Sequence, residues 1–369
     1  MQKKILATAK NHNMVLKFAL TSFLCIAMTS CNAKSSFDSH YEAGLAALKN
    51  KQYANAETDF KTALALAEEQ GFRDQSKAVC LTNLGMLNEA QARLPQAESY
   101  FKKAITSLET AVGPDDTALA AALANLARVC CEQGRFTEAE PLWQRSLAIC
   151  EKTIGPNEAQ TAVSMNNLAQ LYFHDRRFSL AEPLFKRSLT ILETKLGPEH
   201  PYTASLMNNL SQLYVYEGNY DAAENLCKRS LAINEKAKIP NNKEIGANYN
   251  VLGALYAERK QYPAAVTAYQ HALALRKNEA SVDRFDVART ENALAEVFRK
   301  QGDYAAAEPL FKAALDIREK NLPTDHIDIG QTLQGYSRLC KATGRKAEAE
   351  EMRTRADSIC SKYKQNANK

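Results

Sequence analysis

Histidine and cysteine are the side chains best suited to nucleophilic or metal chemistry, and this chain has six of the first and nine of the second. Their placement argues against such chemistry. After Cys25 and Cys31 come Cys80, Cys130, Cys131, Cys150, Cys227, Cys340 and Cys360, and none of these pairs has the two-residue gap of a zinc-binding turn. Cys130 with Cys150, and Cys340 with Cys360, stand in equivalent places. In each pair one member falls near a hairpin turn and the other near the far end of a helix. That puts their α carbons beyond the ~7 Å reach of a disulfide, so the thiols read as small core residues. His40, His174, His200, His271 and His326 are scattered. His200 and His326 occupy equivalent loops, where a solvated ring is the expectation. No phosphate-cradling glycine loop and no serine elbow occurs. The expectation is therefore no enzyme activity, no cofactor, no metal site and no small-molecule substrate.

Asparagine offers a different chemistry. Asn83, Asn125, Asn167 and Asn209 form one column at regular spacing, and Asn166, Asn208, Asn250 and Asn292 form the neighbouring one. An asparagine amide both donates and accepts, so a ladder of amides can satisfy the backbone of an extended peptide without demanding a sequence. Gln170, Gln212 and Arg128 follow one helical turn on and share that face. A second reading stands beside this one: buried amides bond to neighbouring helices and set how they stack.

The elements that carry these columns follow from a repeat. Ala97, Ala139, Ala181, Ala223, Ala265, Ala307 and Ala349 recur every 42 positions, as do Leu84, Leu126, Leu168, Leu210, Leu252 and Leu294. Phe101, Trp143, Phe185, Tyr269 and Phe311 keep the same period, broken only at Cys227. Ala56, Gly44, Tyr53 and Phe60 open an earlier unit. Within a unit, apolar spacings of three and four predict two amphipathic helices, for example Leu168 to Tyr172 and Phe178 to Leu192. Gly134, Gly218 and Gly302 fall between them, with Asn219 and Asp303 placed to cap the second helix. No hairpin can bury its own apolar face, so stacking must do it. The units fall near 38–77, 78–119, 120–161, 162–203, 204–245, 246–287, 288–329 and 330–360. Residues 31–37 read as a tether and 361–369 as a disordered tail. Glu350, Glu351, Arg353, Arg355 and Asp357 mark a polar end cap.

The phrases Asn167-Leu168-Ala169, Ala181-Glu182-Pro183-Leu184-Phe185-Lys186-Arg187-Ser188-Leu189 and Leu196-Gly197-Pro198-Glu199-His200-Pro201 resemble tetratricopeptide repeats in their 42-residue, kinesin-light-chain-like form. That resemblance implies an all-α, right-handed superhelical solenoid of about eight hairpins whose first helices line a concave face. It also implies that Asn125, Asn167 and Asn209 contact bound peptide. The heptad segment that pairs with a motor heavy chain is missing, and so is a lysine-rich carboxylate clamp.

At the N-terminus, lysines up to Lys17 precede the apolar stretch Phe18–Met28, the layout of a secretory signal over residues 1–30. The stretch is shorter than the ~20 residues that span a bilayer. Met28-Thr29-Ser30-Cys31 resembles the lipobox of bacterial lipoproteins, although leucine is usual where Met28 stands. The resemblance implies lipidation at Cys31 and, with no aspartate at Asn32, an outer-membrane address on the periplasmic side; ordinary cleavage after Ala33 is the alternative. The formal charge of +5 falls to +1 without Lys3, Lys4, Lys10 and Lys17, so no basic face for nucleic acid is expected. The expected function is a non-catalytic scaffold that binds a protein or extended peptide and is tethered to a membrane. The remaining thiols suit an oxidising compartment poorly, and that leaves a cytoplasmic adaptor as the alternative.

Overall fold

The structure, a computed structural model, describes residues 33–69, 75–237, 241–277 and 284–367. The signal segment and Cys31 lie outside the described residues. Within them the chain is all-α, with sixteen helices and no strand. In chain order these are first and second helices of successive units: α1 (Ala33–Lys49) and α2 (Tyr53–Glu69), α3 (Ser76–Ala90) and α4 (Leu94–Ala111), α5 (Thr117–Glu132) and α6 (Phe136–Thr153). Next come α7 (Ala159–His174) and α8 (Phe178–Lys195), then α9 (Pro201–Tyr216) and α10 (Tyr220–Lys236). The last are α11 (Asn242–Glu258) and α12 (Tyr262–Lys277), α13 (Arg284–Gln301) and α14 (Tyr304–Asn321), α15 (Ile327–Ala342) and α16 (Lys346–Ala367).

Two ends differ from the sequence expectation. Helix α1 begins at Ala33, inside the segment read as a tether, because Phe37 is buried and stacks on Tyr41 at 5.9 Å. Helix α16 continues to Ala367, through much of the segment read as a tail, because no glycine or proline interrupts it. Its outward side is polar: Arg353 and Asp357 replace the Phe311 and Leu315 of the preceding second helix, and both are exposed.

The chain divides into two compact units, Met1–Leu171 and Tyr172–Lys369, with the division inside α7. In the first unit α2 packs on α3 and α4 on α5; in the second α8 packs on α9, α10 on α11, α12 on α13 and α14 on α15. Each contact buries a face that a lone hairpin would expose to water. Phe60, Phe101, Phe185 and Phe311 are fully buried. Glycines on the first helices admit some of these rings: a Cβ on Gly85 would sit 2.5 Å from Phe101, and one on Gly253 would sit 2.7 Å from Tyr269.

Every hairpin turns through one residue in the left-handed region. Gly134, Gly218, Gly302 and Gly344 fill that place without strain, while Lys51, Ala92, Arg176 and Lys260 hold φ between 57° and 59° there. Capping divides the two candidates. Asp303 accepts from Ala306 N at 3.0 Å as expected, but the Asn219 side chain makes no capping bond, a correction to the sequence expectation. Asn219 stands in the N-cap place with φ −83° and ψ 66°, as Arg93, Arg135 and Arg177 do with nearly the same angles and no side-chain cap. The loop histidines also depart from expectation: Nδ1 of His200 accepts from Tyr202 N at 3.1 Å and Nδ1 of His326 accepts from Asp328 N at 3.2 Å. They cap α9 and α15, the role Asp116 plays for α5 at 2.7 Å from Ala118 N.

The break in the aromatic column has a structural consequence in the second unit. With Cys227 in place of a ring, α9 and α11 pack directly on one another, and buried amides fill the joint. Asn248 Nδ2 donates to Asn208 Oδ1 at 3.0 Å and to Ser230 Oγ at 2.8 Å, and Asn234 Nδ2 donates to Asn248 Oδ1 at 3.0 Å. One and two repeats on, arginines occupy the place of Asn234. Arg276 donates to Thr290 Oγ1 at 2.6 Å, and Arg318 to the Asp328 carbonyl at 2.8 Å and to Thr332. Both guanidinium groups are almost wholly buried.

Candidate partner-binding face

The side chains singled out by sequence divide into those drawn into the protein and those turned outward. In the first unit Asn83 is buried, and its amide donates to the Tyr41 hydroxyl at 3.2 Å and to the Val79 carbonyl at 3.0 Å. Asn166 is buried as well. In the second unit Asn208 belongs to the α9–α11 joint. Asn250, with its amide oxygen toward Arg276, accepts from that guanidinium at 3.0 and 3.1 Å and donates to Thr290 at 2.9 Å. Asn83, Asn208 and Asn250 thus each bond to a neighbouring helix.

The rest of the column that Asn83 opens is mixed: Asn125 is fully buried, while Asn167 and Asn209 are half-buried. Asn125 on α5 accepts from Arg128 Nη2 at 3.3 Å, yet its own buried Nδ2 has no hydrogen-bond partner among the described residues. Arg128 pairs with Glu89 and lies 3.6 Å from Glu132, while its Nε is a second buried donor without a partner. A buried donor left unpaired costs about 1–3 kcal/mol. On α7, Asn167 and Gln170 are half-buried and lie one turn apart. On α9, Asn209 and Gln212 repeat the arrangement.

Sequence reasoning passed over the residue that continues this stripe. Tyr216 closes α9 on the same side as Asn209 and Gln212, and it is exposed. The signal was available in the spacing of three and four residues, but nothing in the sequence says that the ring stays uncovered.

Among the described residues, no group of three or more histidine, cysteine, aspartate or glutamate side chains is set to hold a metal ion, and no helix is long and apolar enough to cross a membrane. The seven described cysteines are all free thiols. Burial pushes Cys80, Cys131 and Cys227 up to about 12 and Cys130 and Cys340 up to about 11, which keeps them protonated and poorly nucleophilic.

Comparison with known proteins agrees with this architecture. No curated protein sequence is a significant match. Among solved structures, the apo form of RapI aligns at 14% identity over 77% of this chain and 98% of that one, with a TM-score of 0.63. A Rap protein complexed with competence and sporulation factor aligns at 15% identity over 95% of this chain and 92% of that one, with a TM-score of 0.65. Identities this low speak to the fold alone. The tetratricopeptide repeat family model matches residues 36–110, 118–194, 172–236, 202–278 and 286–356. With periodic hairpins, buried aromatic columns and these matches in hand, the chain belongs to the tetratricopeptide repeat family.

Proposed function

We propose that this protein is a non-catalytic scaffold that holds a partner protein or extended peptide on the exposed sides of its first helices. The observation that carries this reading is found in each unit separately: half-buried amides one turn apart on a first helix, Asn167 and Gln170 on α7 in the first unit, and Asn209 and Gln212 on α9 in the second. Amides at helical spacing match the alternating donors and acceptors of an extended backbone. A solved Rap protein of similar fold holds competence and sporulation factor, which makes a bound partner a reasonable expectation here. Capture of partners by the mature chain, repeated with Asn125→Ala, Asn167→Ala and Asn209→Ala together, tests the assignment. Undiminished capture by that variant would place binding elsewhere.

The reading extends to a lipid tether at Cys31, with the array on the periplasmic side of a bacterial outer membrane; its support is the signal layout and the lipobox-like Met28–Cys31. Labelled palmitate recovered in the membrane fraction, and lost with Cys31→Ser, is the expected outcome. One observation favours a second reading, a cytoplasmic adaptor with the same binding face: all seven described cysteines are free thiols. An unlabelled product in the cytoplasmic fraction would select it.

A further inference from the structure

The C-terminal end of α9 adds a charge preference to the amide stripe. Tyr216 is 57% exposed, but its ring is held in place: Phe173 meets it edge-on at 5.3 Å, Phe178 lies 5.8 Å away, and these two rings touch one another at 5.7 Å. Nearby tyrosines already carry cations of this chain. The Arg177 guanidinium sits 4.4 Å from the Tyr172 ring centre, Lys186 lies 5.9 Å over Tyr214, and Arg259 lies 5.8 Å over Tyr220. Among the described residues, no cation covers Tyr216 in this way.

The surroundings of that bare ring are negative. Helix α9 ends at Tyr216, which places the ring at the negative end of the helix dipole. Glu217 follows directly and is exposed; partial burial and then the Glu182 charge push its carboxyl up. Glu182 itself is tied to Lys186 at 2.6 Å, and Glu224 to Lys228 at 2.6 Å, whereas Glu217 has no ion pair among the described residues. A ring face is the negative pole of an aromatic quadrupole, so ring, helix end and carboxylate all favour a cation.

We propose that Tyr216 is the subsite for an arginine side chain of the bound polypeptide, with the guanidinium stacked on the exposed ring and facing Glu217. The inference rests on the reading that first-helix amides hold an extended backbone. Arginine is favoured over lysine because its planar, weakly hydrated group stacks on a ring.

Selection of a random-sequence peptide display library on the intact chain tests it. Selected peptides should share an arginine at one position. Replacing that arginine by citrulline, which keeps the shape and loses the charge, should weaken binding about tenfold. Tyr216→Ala should lose about the same factor and no longer distinguish arginine from citrulline. Tyr216→Phe, which keeps the ring, should stay within about twofold. Glu217→Gln should weaken binding about threefold in dilute salt and less in concentrated salt. Selected peptides that require Asn167 and Asn209 but contain no shared arginine, or that bind Tyr216→Ala undiminished, would overturn the subsite and leave the binding face standing. Peptides indifferent to the amides and to Tyr216, or no selected peptides at all, would count against both.

Discussion

Asn248→Ala should be a strongly damaging polar change in the second unit. The Asn248 side chain bonds to Asn208, Ser230 and Asn234 in the α9–α11 joint and makes a longer contact to Cys227 Sγ at 4.0 Å, and all five residues are buried. Ser230 keeps its bond to the Ala204 carbonyl at 2.7 Å, so its loss is small. Asn234 Nδ2 and Asn208 Oδ1 lose a neutral partner and stay out of water, at about 1–3 kcal/mol for each group. The expected cost is about 3–4 kcal/mol, against less than about 0.5 kcal/mol for Asn209→Ala on the outward side of the same helix pair. Because a solenoid loses stability at the damaged interface, amide hydrogen exchange should rise first in α9 to α12. A double-mutant cycle sharpens the assignment. Once Asn248 is alanine, Asn234→Ala removes an orphaned donor and should cost about 1–3 kcal/mol less than it does alone. Additive losses, or an Asn248→Ala variant as stable as the parent in urea, would show that the network does not hold the joint.

Three further outcomes follow from the geometry. Ala92→Gly should stabilise the chain by about 1 kcal/mol in urea unfolding, since Ala92 holds φ at 57°, while Gly134→Ala at the equivalent turn should destabilise it by about as much. Gly85→Ala should cost about 1–3 kcal/mol, because the added methyl would lie 2.5 Å from the Phe101 ring; an unchanged melting temperature would mean that the ring moves freely. Glu308, held down to about 2 by Lys312 and Arg345, should contribute stability above the ordinary carboxylate pKa, and that contribution should fade as pH drops toward about 2. Glu308→Gln should show a flatter acid unfolding profile over that window.

Much of the molecule could be read from spacing. A period of 42 residues places Ala97, Leu126 and Phe185 on recurring helix faces, and apolar residues that recur at helical spacing must face a neighbour. The turn glycines were legible because only glycine takes the left-handed conformation without strain. Lys51, Ala92, Arg176 and Lys260 were not, since an ordinary residue carries no mark of the strain that its neighbours impose on it.

The binding face was only half legible, and the reason is rotational. Asn166 and Asn167 differ by one residue, about 100° around a helix, so a one-dimensional column cannot say which is turned into the stack. That depends on how the next hairpin leans, and the lean depends on what fills the joint. Cys227 lets α9 and α11 close on each other, which draws Asn208 and Asn248 inward and leaves Asn209 and Gln212 at the surface. Tyr216 likewise owes its place to packing: Phe173 and Phe178 hold its ring, and no cation among the described residues covers it. Sequence alone determined the repeat, the hairpins and the buried columns, because these arise from local periodicity and apolar burial. Only the tertiary structure decided which polar side chains were left outward, because exposure belongs to the packing of several helices and not to any one of them.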